Sequence, residues 1–187
     1  LPDNYLIRQS KSFATGLHHD SFDFILSVNI MPSLVPATVT TMQQLSQWFQ
    51  TSADAKIWGG PDFQYPCSQD VFEQQAKWQE IPSWGLVDDF GALLGFGQFY
   101  LRNQRCHLAR LVVSPNKRGQ GLGKMLVNAL LAQGMLQLGC NEASLFVFRH
   151  NQGAYSLYKK LGFTVDMTGP EHTLYPDIDY LIYRQAE

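Results

Sequence analysis

The 187-residue sequence predicts an α+β domain on a mixed sheet, antiparallel first and parallel in its middle. Three observations carry this. Apolar runs at 83–89, 92–101 and 107–113 are separated only by short polar turns, the pattern of an antiparallel meander. A glycine-rich loop and an apolar helical pattern over 121–138 then lead to a further run, ASLFVF, at 143–148. A strand–helix–strand unit of that length joins parallel strands by a right-handed crossover. Finally, 45% apolar and 16% charged residues describe a globular chain long enough to bury a sizeable core.

The elements follow in order. Residues 1–24 are polar and weakly periodic, and read as an arm or extension ahead of a single domain over 25–187. FILSVNI, 24–30, reads as the first strand, and Pro32 and Pro36 break the chain after it. Thr41 and Gln44 have capping-box spacing, and Met42, Leu45, Trp48 and Phe49 recur at helical intervals, which predicts a helix over 38–50. IWGGPDFQYP, 57–66, is a Gly/Pro loop dense in aromatics. Ser68 caps a second helix over 69–79 that carries Val71, Phe72 and Trp78. The meander follows. The long helix over 121–138 has Leu122, Leu126, Ala129 and Leu130 on one face and Gly139 as its stop. Another helix, 151–161, places Ala154, Leu157, Tyr158 and Leu161 on one face and ends at Gly162. Strands near 162–167 and 179–185 finish the chain, without repeats or low-complexity segments.

Composition excludes several function classes. A formal charge of −2 gives no electrostatic case for nucleic acid or an anionic membrane surface. No apolar run reaches the roughly 18 residues a membrane span needs, and the start of the sequence has no signal-peptide pattern. Cys67, Cys106 and Cys140 are odd in number and widely spaced, which argues against a disulfide framework or a zinc site and for a cytoplasmic protein without a metal. The adjacent His18 and His19 read as solvated.

The chemistry concentrates at SPNKRGQGLGKMLVNALL, 114–131. A loop that leaves a strand and enters a helix aims several backbone N–H groups at one spot, and the helix dipole makes that spot favour anions. Glycines 119, 121 and 123 allow close approach and positive φ, and Arg118 and Lys124 add charge. Phosphate binding and a solvated tight turn both fit. Two common phosphate loops fail on spacing. The Walker pattern needs glycine where Arg118 stands, and the dinucleotide pattern needs it where Lys124 stands. Glu142, near the place of a ribose-binding acid, precedes its strand rather than ending it.

Arg118-Gly119-Gln120-Gly121-Leu122-Gly123 resembles the Arg/Gln-x-x-Gly-x-Gly/Ala signature of the GNAT N-acetyltransferase superfamily. Val113-Ser114-Pro115 resembles that family's V-x-P strand end, and NQGAYSLYKKLGF, 151–163, resembles its N-x-x-A-x-x-L-Y-x-x-x-G-F segment. The resemblance covers 107–165 well and the amino-terminal half in element order only. It implies helices on both faces of a mostly antiparallel sheet whose central parallel pair splays. It implies acetyl-CoA as co-substrate, its pyrophosphate on the amides of 119–124 beside Arg118, and its pantetheine arm against Leu111, Val112 and Val113. An N–H of that segment would hold the developing oxyanion. Asn151 caps its helix and, by the resemblance, also contacts the cofactor.

By the same resemblance Tyr158 is the general acid that protonates the departing thiolate, a task a phenol can perform. Packing on an apolar helix face is its plainer role. The family's ribosomal-protein acetyltransferases carry a base five residues before Asn151, where this chain has Phe146. His107 matches a histidine of the arylalkylamine acetyltransferases and is the expected base, titrating near the ordinary value of about 6.5. A structural histidine is the alternative, and Glu80, Asp88, Glu171 and Asp177 are further acidic candidates. Trp58, Phe63 and Tyr65 fit core packing better than an acceptor pocket. The expected activity is direct acetyl transfer from acetyl-CoA to a primary amine of a small molecule or peptide, by a monomer or homodimer. A non-catalytic acyl-CoA-binding sensor is the alternative, and a nucleotide enzyme a more distant one.

Overall fold

A computed structural model describes residues 32–167 and 176–185. The arm over 1–24, the strand expected at 24–30, His18, His19 and Glu171 lie outside the described residues. The strands are β1 Ser33–Pro36, β2 Ser83–Val87, β3 Leu93–Arg102, β4 Arg105–Val113, β5 Glu142–Phe148, β6 Thr164–Val165 and β7 Ile178–Arg184. The helices are α1 Val39–Ser46, α2 Ser52–Gly59, α3 Gln69–Ala76, α4 Leu122–Leu138 and α5 Gln152–Lys160. The strands form one sheet in the order β1-β2-β3-β4-β5-β7-β6. Among the described pairs only β4–β5 is parallel, as the crossover through α4 requires.

Two clusters cover the two faces. On one, Leu126, Leu130 and Met135 of α4 and Tyr158 of α5 pack against Phe99, Cys106, Leu108 and Leu145 of the sheet. A fully buried leucine such as Leu130 contributes about 2 kcal/mol of transfer free energy. Gly134 lets α4 sit this close, since a Cβ there would collide with Cys106 Sγ and the Phe99 ring. On the other face, Met42, Leu45, Phe49, Trp58, Phe63 and Phe72 of α1–α3 and their connections pack against Leu93 and Phe96.

The structure departs from the sequence reading in three places. Residues 52–59 form α2, where only a loop beginning at 57 was expected. Its start is signalled by Thr51, whose hydroxyl accepts from Asp54 N at 3.1 Å, a cap obscured by the Gly-Gly-Pro that follows. Residues 33–36 form an edge strand that follows Pro32 and ends in Pro36, tolerated because an edge leaves one side of the backbone unpaired. The helices expected over 38–50 and 69–79 end at Ser46 and Ala76, the second because Lys77 turns left-handed at φ 51°.

Candidate active site

The site is built where the two central strands part. β4 and β5 are laddered at Cys106–Ala143, His107–Ser144 and Leu108–Leu145, and there the pairing stops. β4 continues to Val113 along β3, and β5 continues to Phe148 along β7. Each strand follows its outer neighbour, so a gap opens between them. At the closed end Glu142 accepts from Arg105 Nε at 2.6 Å and from Arg184 Nε at 2.8 Å, which ties β4, β5 and β7 together. The two guanidinium donors hold the Glu142 carboxyl below its ordinary range.

At the open end β4 bulges. Arg110 has φ 50°, and the β3–β4 register shifts opposite Gly97. The extra residue changes the phase of alternation. Cys106 and Leu108 face α4, and beyond the bulge Leu111 and Val113 do too, while Val112 joins the opposite cluster. The bulge is tied on the α1–α3 face: Arg110 Nη1 donates to Gln98 Oε1 at 2.8 Å and Nη2 to Gln75 O at 3.1 Å. Gln98 in turn donates to Ala76 O and Ser83 Oγ.

The glycine loop begins as β4 ends. Pro115–Lys117 form one 3-10 turn, and Gly119 and Gly121 both take φ 79°, a conformation costly for any residue with a Cβ. Gly121 opens α4 and accepts from Lys124 N at 3.0 Å and Met125 N at 3.2 Å. The backbone amides of Arg118 through Gly123 have no hydrogen-bond partner among the described residues, and Lys117, Arg118 and Lys124 surround them. A row of unsatisfied donors at a helix N-terminus, flanked by cations, is suited to a phosphate or pyrophosphate. Gly123 serves packing: a Cβ there would come within 3.0 Å of Leu157, so it brings α4 against α5.

Helix α5 supplies the next groups. Asn151 caps it, accepting from Ala154 N at 3.4 Å. Tyr155 donates to Asp179 Oδ2 at 3.0 Å, and Arg149 Nε to Asp179 Oδ1 at 2.7 Å, which fixes the start of α5 to β7. Tyr158 is 7% exposed, and its hydroxyl has no hydrogen-bond partner among the described residues. Burial pushes the phenol well above its ordinary value, so it stays protonated throughout the neutral range.

His107 corrects one expectation. It is 2% exposed, within 2.9 Å of Ser144 Oγ through Nδ1, and packed against the rings of Tyr100 and Phe146. Burial, and then the charge of Arg102, lower its pKa to about 3, so it does not titrate near 6.5 and is neutral at physiological pH. The carboxylates also change. Asp88 caps the β2–β3 turn, accepting from Phe90 N and Ala92 N, and neither it, Glu80 nor Asp177 lines the cleft described below. Asp54 and His150, both exposed, line it instead and were missed by the sequence reading. For Asp54 the cap spacing with Thr51 was the available signal; for His150 it was the position next to Asn151. Trp58 and Phe63 are core residues, and Tyr65 donates to Phe49 O at 2.5 Å. Cys106 is buried under α4 with its thiol pushed up to about 12 by burial, so it is no thiolate nucleophile.

A single cleft of about 1390 Å³ runs from the glycine loop through the strand gap to the α1–α2 side of the sheet. This exceeds the usual size of a small-ligand pocket, roughly 300–1,000 Å³. His107, Tyr158 and every residue nominated for cofactor binding except Gln120 line it. Among the described residues no helix is long and apolar enough to cross a membrane.

Known proteins resemble this chain in sequence and in fold. The sequence is 38% identical over 87 residues to a peptidyl-lysine N-acetyltransferase of Salmonella typhimurium, matching 46% of this chain and 52% of that protein. It is 32% identical over 84 residues to a thialysine N-epsilon-acetyltransferase of Bos taurus, matching 42% of this chain and 48% of that protein. The chain thus spans about half the length of the curated relatives it matches. The fold is similar to that of a spermidine N-acetyltransferase from Vibrio cholerae solved with CoA and spermine, with a TM-score of 0.66 at 16% identity over 82% of this chain and 95% of that one. Residues 43–163, well over half the sequence and including the splayed strands, the glycine loop and α5, match the acetyltransferase (GNAT) family. This chain belongs to the acetyltransferase (GNAT) family.

Proposed function

We propose that the protein transfers an acetyl group from acetyl-CoA directly to a primary amine. The observation that carries this reading is the continuity of one cleft from the unpartnered amides of 118–123, through the gap between β4 and β5, to Tyr158. When bound, acetyl-CoA supplies the activated acetyl thioester. The amides of 119–123, with Arg118 and Lys124, hold its pyrophosphate. Leu111, Val112 and Val113 offer strand edge to the extended arm, and Asn151 stands beside it. Tyr158, kept protonated by burial, donates its proton to the departing sulfur.

His107 stays neutral and offers a hydrogen bond rather than a stored proton. The proton of the incoming ammonium leaves toward solvent, past the exposed Asp54 and His150. The relatives named for lysine, thialysine and spermidine acetylation support an amine acceptor, small molecule or peptide. The three unpaired cysteines support a cytoplasmic protein, and a monomer or homodimer completes the reading.

Acetyl-CoA in large excess is expected to stabilise the protein, by about 2.7 kcal/mol at a hundred times its Kd, where ATP and NAD do not. Thiol release on an amine panel should accompany it. Thermal unfolding with no response to acetyl-CoA would overturn the reading, and stabilisation without turnover on any amine would replace it with an acyl-CoA sensor.

A further inference from the structure

Trp58 lies in the core on the α1–α3 face, yet its side chain bonds to the backbone of the splayed part of β4. Its indole Nε1–H donates to Arg110 O at 2.7 Å. The Arg110–Leu111 peptide is trans and planar, so the Leu111 N–H points opposite to that carbonyl. The carbonyl is drawn toward Trp58, and the amide is therefore turned away from it.

The arrangement is held from several sides. Arg110 keeps a left-handed φ of 50° that a non-glycine residue adopts only when its surroundings over-determine it. Its guanidinium bonds fix the bulge to β3 and α3. Trp58 is itself immobilised: its ring stacks on Phe72 at 5.4 Å with 5° between planes and lies 4.8 Å from Phe49. A rigid donor of this kind sets the rotation of the peptide it binds. Such precision has a use only if the opposite end of that peptide meets something.

We propose that Trp58 is a positioning residue for acyl transfer, whose indole N–H holds the Arg110–Leu111 peptide so that Leu111 N–H is aimed at the thioester carbonyl. The inference rests on the acetyl-transfer reading above. A donor directed where negative charge develops lowers the barrier, and one rotated away does not. The same bond connects the aromatic cluster beneath α2 to the acyl site, so the packing of one side of the sheet sets the chemistry of the other.

Trp58→Phe keeps an aromatic ring and removes the N–H. Its kcat is expected to fall about tenfold, while the KM for acetyl-CoA stays within about twofold, because the pyrophosphate grip is remote from the change. Infrared difference spectra of bound acetyl-CoA labelled with ¹³C at the thioester carbonyl provide a readout that packing alone would not move. The carbonyl band should lie below its solution frequency in the wild-type protein and return toward it in Trp58→Phe. A folded variant with unchanged band and unchanged kcat overturns the proposal. Arg110→Gly keeps the left-handed backbone and the carbonyl that Trp58 binds, so it should retain the lowered band even if Trp58→Phe does not fold. Loss of the band shift in Arg110→Gly would assign the peptide's orientation to the guanidinium and overturn the proposal too. Wild-type protein that binds no acetyl-CoA defeats the acetyl-transfer reading itself, before any variant is compared.

Discussion

At the Cys106–Ala143 end the two central strands are laddered to each other and clamped by Glu142 between Arg105 and Arg184; at the Val113–Phe148 end they have parted. Both ends belong to the same two strands, but the closed end carries Arg105 and Glu142 where the open end has the apolar runs 111–113 and 146–148. What differs is where backbone and charge find partners. The closed end satisfies its donors inside the sheet. The open end leaves a strand edge, a bulge and a row of amides for something outside the chain. On the acetyl-transfer proposal, stability and ligand binding are divided along the length of one strand pair, and substitutions should divide the same way.

The largest effect is expected at the open end. Tyr158→Phe should lower kcat by about a hundredfold, the range of a lost general acid, and leave acetyl-CoA affinity and Tm nearly unchanged. The Tm should hold because the hydroxyl has no hydrogen-bond partner among the described residues. Steady-state kinetics with calorimetric binding check this, and unaltered turnover would remove Tyr158 from the chemistry.

An intermediate effect is expected at His107, where the ladder is about to end. Its folded pKa of about 3 lies below the unfolded value, so the unfolded chain takes up a proton that the folded protein refuses. Its contribution to stability is therefore complete above about pH 6.5 and lost progressively as pH falls from there toward about 3. His107→Gln keeps a polar partner for Ser144 and should make Tm fall less steeply on acidification. It should also leave the neutral limb of the pH–rate profile in place. A neutral limb that vanishes in the variant would restore His107 as the titrating base.

The smallest effect belongs to the closed end. Glu142→Gln should cost about 1 kcal/mol or less, the scale of partly exposed ion pairs, and leave kcat unchanged. Thermal melts in low and high salt would show it, with the difference from wild type shrinking as salt rises. A fall in kcat comparable to that of Tyr158→Phe would mean that the two ends are mechanically coupled and that the division proposed here is wrong.

Parts of this arrangement were legible in the sequence and parts were not. The loop at 119–123 and the caps of α4 and α5 could be read locally, because glycine at positive φ and asparagine at an N-cap act through their own backbone. Asp54 was missed because Gly59, Gly60 and Pro61 made the whole stretch read as a loop. His107 was assigned an ordinary titration because its residue type is visible in a sequence and its burial is not. Trp58 was read as core, which it is; its bond to Arg110 spans 52 residues and has no local signature. The bulge is hidden for a similar reason, since nothing in ARLVV marks an arginine as left-handed.

By itself the sequence determined the order of strands and helices from α3 onward, the parallel crossover through α4, and the glycine conformations of the loop. These follow from short-range rules: hydrophobic period, glycine conformation and helix polarity. Only the tertiary structure decided where β4 and β5 separate, which way the Arg110–Leu111 peptide faces, and that His107 is neutral. Each of these depends on a competition between distant partners: β3 against β5 for the backbone of β4, Trp58 for one carbonyl, and the packed rings of Tyr100 and Phe146 against water for one imidazole.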